Sequence, residues 1–490
     1  MRIAYVASEV HPFVKTGGLA DVADSLPAAL ADRGIEATVF VPLYCQARRW
    51  LDSERVASEL IAPARRLRIG TTEQPFAYRV MPWRGHRVVF VVHDGFYDRP
   101  HPYLDADGAD YADSVARWSY FCRAVLEYYR AIEPPPAVLH LNDWQAALIA
   151  AYLKSTVGPP ELRRTPSLLT LHNVAFQGVF PPERFPDTGL GPEMFNPEGL
   201  EFFGQINLLK GGIIFAEQLN AVSPSYAEEI QTAECGRGLH GVLQAQRRKL
   251  CGILNGIDTV AWDPATDPHL TARYEIHDLS GKRACKAALQ RRMGLPARPG
   301  TFLLAVIGRF DVQKGIHLIT EAFPRLADLD VQLIVLGSGD QAVQLAVENL
   351  VRAEPGRAAV LAGFDEALAH QIEAGADAFL MPSAFEPCGL NQMYSQRYGT
   401  VPIVRETGGL RDTVVDATEK TLAAGTASGF TFGPFAATAL EAAIRRAWAV
   451  YAADTATWQT LMELIMRLDH SWATRARAYA KLYQQLAETR

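Results

Sequence analysis

The chain has 490 residues, of which 49% are apolar and 21% charged, and its 54 acidic residues outnumber the 48 basic ones to give a formal net charge of −6. A chain this long and apolar is not largely disordered, and at roughly 150 residues per domain it predicts two to four domains. The mildly acidic balance argues against a general binder of nucleic-acid backbones, which needs a basic surface.

The sequence carries no signal for export or membrane insertion. The apolar run of residues 1–8 is short and ends at Glu9, which favours a first β-strand over a signal peptide. No stretch supplies the ~20 uninterrupted apolar residues that a transmembrane helix needs. The six cysteines are scattered without a CxxC pair, which is typical of a reducing compartment. We therefore expect a cytoplasmic protein with no membrane partner.

Apolar runs of strand length alternate with segments of helical spacing along most of the chain. In the first half we predict strands near residues 2–8, 37–43, 138–141, 167–171 and 219–222, and an inserted hairpin of residues 75–81 and 87–92. In the second half we predict strands near residues 302–307, 331–336, 359–361, 378–381 and 402–404, with helices such as 314–326 and 341–352. Apolar strands that alternate with helices indicate parallel sheets with right-handed crossovers. Because the series occurs twice, the sequence predicts an α/β protein with two doubly wound domains, joined near residues 250–258.

A pair of glycines follows the first predicted strand, in the segment Lys15-Thr16-Gly17-Gly18-Leu19-Ala20-Asp21-Val22. We predict that the chain turns there into a helix of about residues 21–33. A helix N-terminus offers unpaired N–H groups and a partial positive charge, and Lys15 adds a full charge, so the segment suits a diphosphate. An ordinary strand–helix turn with a surface lysine is the alternative. The spacing matches neither the dinucleotide GxGxxG motif nor the P-loop.

A second loop of this kind, Gly308-Arg309-Phe310-Asp311-Val312-Gln313-Lys314-Gly315, follows the first strand of the second half. Arg309 and Lys314 are expected at the carboxyl end of that strand, where open α/β sheets bind ligands. Two cations there suit a diphosphate leaving group, whose oxygens gain negative charge as it departs. A solvated basic turn is the alternative. The sequence of residues 16–21 also recurs at residues 407–412 with one change, which supports two similar domains with equivalent loops.

Further polar residues follow predicted strands. Glu386 lies in the segment Phe385-Glu386-Pro387-Cys388-Gly389-Leu390, where a carboxylate suits either a helix cap or the hydroxyls of a sugar. Asp143 and His172 each lie just past a strand, which favours a functional role, whereas His140 lies inside its strand and is expected to be structural. The Asp105-Ala106-Asp107 sequence is expected to be a solvated loop. No clustered ligand set predicts a metal, and no cofactor is expected.

Taken together, these motifs resemble those of the bacterial glycogen synthase and plant starch synthase family. The resemblance extends over nearly the whole chain. Its carriers are residues 15–22, 97–100, 142–144, 171–178, 238–241, 252–258, 308–315, 386–391, 398–402 and 407–412. It implies retaining glucosyltransferase activity and the GT-B architecture, in which two Rossmann-like domains face a deep cleft. It also implies domains of residues 1–250 and 251–467, with a final helix of residues 468–490 packed on the first domain.

The resemblance assigns roles to individual residues. Lys15 and Gly18 are expected at the ADP phosphates, with Arg309 and Lys314 on the same diphosphate. Glu386 and Asn255 are expected to hold the glucose hydroxyls, and Phe364 is expected to stack on adenine. His172 and Asp143 belong to the sugar and acceptor side, and Tyr97 to the path of the glucan. The remaining substrate-binding residues are Asp21, Cys388, Gly389, Leu390 and Thr407.

The chain departs from the family at Ala384, where arginine is common and a cation near the donor pocket is therefore missing. On this resemblance we expect transfer of glucose from ADP-glucose to the non-reducing end of an α-1,4-glucan, with retention of configuration. The alternatives are a UDP-glucose enzyme or one with another acceptor, a non-catalytic glucan-binding relative, and a pyridoxal-phosphate-dependent phosphorylase, for which no motif is visible. The oligomeric state is not predicted.

Overall fold

The computed structural model describes residues 1–70 and 72–488. The chain forms two compact units, one of Met1–Gly256 with the C-terminal helix and the other of Ile257–Ser471. Each unit is built on its own sheet, which is mostly parallel in the first unit and wholly parallel in the second.

The first unit contains fourteen strands among its described residues. They are β1 (Arg2–Val6), β2 (Glu36–Pro42), β3 (Glu59–Ile61), β4 (Arg66–Ile69), β5 (Thr72–Pro75), β6 (Ala77–Trp83), β7 (His86–Val92), β8 (Val138–Asn142), β9 (Ser167–Leu171), β10 (Val179–Phe180), β11 (Glu201–Phe202), β12 (Gln205–Asn207), β13 (Gln218–Ala221) and β14 (Leu250–Gly252). Nine of them form a sheet in the order β14-β13-β9-β8-β1-β2-β7-β6-β3. Neighbours from β14 to β7 run parallel, and β6 and β3 add an antiparallel edge.

The predicted hairpin is present but is not an insertion. β6 and β7 pair antiparallel across Arg84 and Gly85, which both have positive φ as a two-residue hairpin turn requires. β7 also pairs in parallel with β2, so it is an integral strand of the main sheet. The sequence pattern missed this because an apolar strand looks the same whether one or both of its edges are paired.

Before its C-terminal helix, the first unit has eight helices, and the second unit has nine. Those of the first unit are α1 (Gly18–Ala31), α2 (Cys45–Ser53), α3 (Asp94–Tyr97), α4 (Ser114–Ala131), α5 (Asp143–Lys154), α6 (Leu208–Phe215), α7 (Pro224–Glu229) and α8 (His240–Ala245). Those of the second are α9 (Ser280–Arg292), α10 (Ile316–Ala322), α11 (Gln341–Ala353), α12 (Glu366–Gly375), α13 (Asn391–Arg397), α14 (Gly408–Thr413), α15 (Glu419–Ala423), α16 (Ala437–Ala453) and α17 (Thr455–Met466). These counts refer to the part of the chain that the structure describes.

The second unit has a six-stranded, wholly parallel sheet. Its strands are β15 (Phe302–Ile307), β16 (Val331–Gly337), β17 (Ala358–Ala362), β18 (Ala378–Met381), β19 (Val401–Arg405) and β20 (Phe430–Phe432), in the order β17-β16-β15-β18-β19-β20. Successive residues of β15 alternate between two apolar clusters, Phe302 and Leu304 in one and Leu303 and Ala305 in the other. The sheet is therefore buried on both faces, which explains its continuous apolar strands.

The helix predicted over residues 314–326 is shorter in the structure. α10 begins at Ile316 and ends at Ala322, and a 3₁₀ turn follows at Phe323–Leu326. Pro324 has no N–H group to continue the α-helical hydrogen bonds, which accounts for the change.

The chain ends in a helix, α18 (Trp472–Glu488), that belongs to the first unit. Its buried Tyr483 hydroxyl lies 2.7 Å from Nδ1 of His140 on β8, and its Tyr479 hydroxyl accepts a hydrogen bond from Asn220 on β13. His140 also lies 2.7 Å from the hydroxyl of Thr170 through its other ring nitrogen. Within residues 1–70 and 72–488, no helix combines the length and apolarity needed to cross a bilayer.

Candidate active site

The loop between β1 and α1 is organised by a carboxylate that the sequence analysis did not single out. Glu9 is 4% exposed and accepts hydrogen bonds from the Thr16 hydroxyl at 2.6 Å, the Gly17 N–H at 3.2 Å and the Tyr103 hydroxyl at 2.5 Å. The Thr16 N–H also donates to it. Glu9 lies three residues after β1 and six before Lys15, and a charged residue next to an apolar run is the signal that the sequence offers for it.

This anchoring leaves the start of α1 open. The helix begins at Gly18 after Gly17, and no side chain caps its N-terminal N–H groups. A Cβ atom built on Gly17 would meet nothing within 4 Å. Lys15 Nζ forms an ion pair with Asp21 at 2.7 Å, and both side chains are partly exposed. The loop therefore combines free helix N–H groups, open space and a cation, which is what an anion requires.

Asp143 and His172 lie together at the carboxyl ends of β8 and β9. Asp143 has a positive φ of 54°, and its carboxylate accepts the backbone N–H of His172 at 2.7 Å. The His172 ring, through Nε2, lies 2.9 Å from Oδ1 of Asn142, the residue before Asp143. Asn142 is in turn held by donating to the Val6 carbonyl. The ring of His172 thus has a defined orientation.

Burial changes the charge of both groups. It raises the pKa of Asp143 from 3.8 to about 7, against the lowering effect of the His172 and Asn173 N–H groups. It lowers the pKa of His172 from 6.5 to about 3. The imidazole is therefore neutral at physiological pH and can act through hydrogen bonds, whereas Asp143 titrates close to neutrality.

Asn255 has a polar atom without a partner, whereas the side chain of Tyr97 is buried and already hydrogen-bonded. Asn255 is 4% exposed, and its buried Oδ1 has no hydrogen-bond partner, so it is left as an acceptor for a group such as a hydroxyl. Tyr97 is 0% exposed and its hydroxyl donates to the Arg117 carbonyl at 2.8 Å. The glucan contact expected for the Tyr97 side chain does not fit this burial. The ring instead packs edge-on against Tyr44 in the core.

The second unit brings Lys314 and Glu386 into contact. Lys314 Nζ donates to Oε2 of Glu386 at 2.7 Å, and the Ser383 hydroxyl donates to the same oxygen at 3.0 Å. Glu386 is 5% exposed. It is not a helix cap, because α13 begins five residues later and has no side-chain cap. Arg309, on the same loop as Lys314, is half-exposed and lies 3.3 Å from Asp311.

The loop of Glu386 packs against the second Thr-Gly-Gly-Leu segment. The Gly409 N–H donates to the Glu386 carbonyl at 3.0 Å. A Cβ on Gly408 would overlap that carbonyl, and one on Gly409 would overlap the Cys388 carbonyl. Thr407 and Cys388 are both buried, and Gly389 has a φ of 73°. The glycines here allow two backbones to meet, unlike Gly17 in the first unit.

Phe364 and Ala384 complete the predicted donor residues. Phe364 lies just beyond β17 and is 80% exposed, so its ring is free to stack on a flat ligand. The carbonyls of Ser383 and Ala384 both accept hydrogen bonds from the guanidinium of Arg405. A cation therefore lies against the backbone of this loop although position 384 carries none.

The two units, each built on its own parallel sheet with the predicted site residues just after its strands, have the architecture of a GT-B glycosyltransferase. The chain matches the catalytic domain of starch synthase IV from Arabidopsis thaliana, solved with ADP and acarbose, with a TM-score of 0.90 at 34% identity over 99% of both chains. Sucrose-phosphate synthase from Thermosynechococcus elongatus shares the fold, with a TM-score of 0.62 at 18% identity over the full length of both chains.

Sequence comparison identifies the family within that class. Residues 2–245 match the starch synthase catalytic domain, and residues 291–450 match the group 1 glycosyl transferases. Glycogen synthase 1 of Methylococcus capsulatus is 44% identical over 99% of this chain and 96% of its own. The glycogen synthase of Anaeromyxobacter dehalogenans strain 2CP-1 is 46% identical over all of both chains. The chain belongs to the glycogen and starch synthase family, which confirms the family predicted from its motifs.

Proposed function

We propose that this chain transfers glucose from ADP-glucose to the 4-hydroxyl at the non-reducing end of an α-1,4-glucan, with retention of configuration, and that it does so in the cytoplasm. The observation that carries the proposal is the end-to-end similarity to bacterial glycogen synthases, which spans every motif named above. The related starch synthase was solved with ADP, the leaving group that this reaction would release.

The cations are proposed to act on the departing ADP. Arg309, Lys314 and Lys15 would stabilise the negative charge that develops on the diphosphate, and the N–H groups at the start of α1 would add to it. Lys314 is held by Glu386 at 2.7 Å, which orients the ammonium group before any substrate binds. A preoriented charge stabilises the transition state without the cost of reorganisation.

Hydrogen bonds from Glu386, Asn255 and His172 are proposed to hold the glucose ring. Glu386 keeps an oxygen, Oε1, beyond the one that contacts Lys314 and Ser383, and this oxygen can accept from a sugar hydroxyl. The unpaired amide oxygen of Asn255 can accept from another. Neutral His172 would contribute a hydrogen bond rather than a charge, because its pKa is lowered to about 3.

Retention is proposed to follow from attack on the face that ADP leaves. The acceptor 4-hydroxyl would form the new bond to the anomeric carbon as the bond to the diphosphate breaks. A phosphate oxygen of ADP would take the hydroxyl proton. This route needs no second carboxylate of the kind that a double-displacement glycosidase uses.

A donor panel tests the proposal directly. Purified protein is incubated with glycogen and with ADP-, UDP- or GDP-glucose, and the released nucleoside diphosphate is measured. We expect release of ADP well above that of UDP or GDP, together with growth of the glucan. Preferred use of UDP-glucose would favour the related transferase. Binding of glycogen without turnover of any donor would favour a non-catalytic protein, and visible absorbance from a pyridoxal cofactor would favour a phosphorylase.

Replacement of Lys314 tests the role of the cations. We expect Lys314→Ala to lower kcat by about 10²-fold, the range seen when one oxyanion-stabilising donor is lost. Lys420→Ala, on an exposed helix of the same unit, is the control for loss of a surface lysine. A near-normal kcat for Lys314→Ala would contradict the proposed role.

A further inference from the structure

An exposed phenylalanine forms the tip of the β11–β12 hairpin in the first unit. Phe203 and Gly204 are the two turn residues, with φ of 51° and 78°, and Phe202 pairs with Gln205 across them. Two-residue turns with positive φ at both positions favour Asn, Asp or Gly, because bulky side chains are strained in that conformation. The Phe203 side chain is also 86% exposed. Its ring contacts only the neighbouring Phe202 edge-on among the ring contacts described, at 4.5 Å between centroids, so most of its surface is left to solvent and it belongs to no core.

The hairpin is joined to the loop that carries His172. β12 pairs with β10, which follows directly after Gly178. The Asn207 amide donates to the Gln177 side-chain oxygen at 2.7 Å. The backbone N–H groups of Leu208 and Leu209 donate to the carbonyls of Gly178 and Gln177, both at 3.0 Å. The position of the tip is thus fixed relative to the loop of residues 172–178, whose His172 is expected on the sugar and acceptor side.

A second exposed phenylalanine lies within that loop. Phe176 is 54% exposed, only four residues from His172, and its N–H donates to the Asn173 carbonyl at 3.1 Å. Val179, the first residue of β10, is 41% exposed. Apolar side chains that are exposed on one small structural element, beside polar groups, mark a binding surface more often than single scattered ones do.

We infer that Phe203, together with Phe176, forms an aromatic platform for the α-glucan acceptor. An α-linked glucose residue presents an apolar face of C–H groups, which suits the face of a phenyl ring, while its hydroxyls remain in water. This inference rests on the proposed function.

The size of the platform favours a sugar chain over a protein partner. Two phenylalanine side chains bury at most about 500 Å² when fully covered, and here they are already partly buried. A stable protein interface needs roughly 800 Å² on each partner. A few glucose residues match the smaller area.

The test uses a substitution that removes the ring but suits the turn. Phe203→Asn creates an Asn-Gly pair, the preferred sequence for this turn, and this gain offsets the lost ring contact with Phe202, so the variant is expected to unfold close to the temperature of the parent. We expect its KM for maltoheptaose and for glycogen to rise about fivefold. Its KM for ADP-glucose and its kcat at saturating acceptor are expected to remain unchanged. Retardation of the variant in glycogen-containing native gels is expected to fall in parallel.

Two further variants distinguish loss of the aromatic face at position 203 from loss of any exposed apolar side chain. Phe203→Trp keeps an aromatic face and is expected to retain the parental KM for maltoheptaose. Leu345→Gln removes an exposed apolar side chain on α11 of the second unit, where Leu345 is 52% exposed, and is expected to change neither KM. A maltoheptaose KM and gel retardation of Phe203→Asn equal to those of the parent would overturn the inference.

The outcome also distinguishes this inference from the proposed function. If the parent protein extends maltoheptaose from ADP-glucose but Phe203→Asn behaves identically, only the aromatic platform is wrong. If the parent protein releases no ADP in the presence of glucan, the proposed function fails first. The binding assay in native gels then still reports whether Phe203 contacts glucan.

Discussion

Asp143 shows how the tertiary environment of one residue sets its chemistry. In the sequence it is an ordinary aspartate after an apolar strand. In the structure it adopts a left-handed backbone conformation at the start of α5 and is held by the N–H groups of His172 and Asn173. Its burial raises its pKa from 3.8 to about 7. The residue is therefore partly protonated near neutral pH, which influences both stability and the hydrogen bonds it offers.

This raised pKa predicts a pH-dependent stability difference for Asp143→Asn. A carboxyl whose folded pKa lies above its unfolded value binds more protons in the folded state between pH 4 and 7. Its stabilising contribution is complete below pH 4 and is lost as pH rises through 7. We expect the parent protein to lose stability relative to Asp143→Asn over that interval, by on the order of 4 kcal/mol in total. Asparagine tolerates the positive φ, so the backbone should be retained.

Urea unfolding at a series of pH values measures this difference. The transition of the first unit is followed for the parent, for Asp143→Asn and for Asp52→Asn, which removes an exposed carboxylate in the same unit. The difference between parent and Asp143→Asn should change steeply between pH 4 and 7 and level off above. A difference that is constant with pH would show that Asp143 does not have the raised pKa.

At the scale of elements, the two Thr-Gly-Gly-Leu segments have the same sequence but different surroundings. Each starts a helix, α1 at Gly18 and α14 at Gly408. Around Gly17 there is open space, whereas Gly408 and Gly409 lie against the carbonyls of Glu386 and Cys388. The repeat therefore marks equivalent places in two similar folds rather than two equivalent ligand contacts.

This contrast predicts that one alanine substitution destabilises the protein and the other does not. Gly409→Ala forces a Cβ against the Cys388 carbonyl and should lower the free energy of unfolding of the second unit by about 1–3 kcal/mol, as overpacking does. Gly17→Ala has an extended backbone and free space, so its stability should change by less than about 0.5 kcal/mol. Thermal unfolding of both variants checks this. Equal stabilities for the two variants would contradict the packing described for the second loop.

At the scale of the whole molecule, the ends of the chain meet in one unit. The first unit uses residues from both ends, whereas the second is a continuous segment of residues 257–471. α18 contributes Tyr479 and Tyr483, whose hydroxyls pair with buried Asn220 and His140 in the first sheet. The first unit is therefore incomplete without α18.

This discontinuity predicts how fragments of the chain behave. A fragment of residues 257–471 should fold alone, because it holds a complete sheet with both of its apolar clusters. A fragment of residues 1–256 should be less stable than the same unit in the full chain, since each polar group left buried without a partner costs about 1–3 kcal/mol. Circular dichroism on heating measures the stability of both fragments. Full-length Tyr483→Phe removes only one of the buried hydroxyls of α18 and should lower the stability of the first unit least. Equal melting of residues 1–256 and the intact first unit would contradict this role of α18.

Much of this protein follows from its sequence alone. Strands such as β15, β16 and β18 are short apolar runs between helical segments, and their pattern suffices to predict two parallel α/β units. Lys15, Arg309, Lys314 and Glu386 can be predicted as site residues because each follows such a strand, where a parallel sheet places ligands. Strands of two or three residues, such as β10 and β11, have too few positions to show any periodicity and were not predicted.

Tertiary structure decided what each of these residues touches. Glu9 holds the first glycine loop, Tyr97 is buried, β7 joins the main sheet and Phe203 is exposed at a strained turn. None of these facts depends on local sequence, because burial, partners and pKa values arise from segments far apart in the chain. Local patterns determine which elements form and where a parallel sheet presents its strand ends. Long-range packing determines which side chains are left to meet a ligand, and in what state of charge.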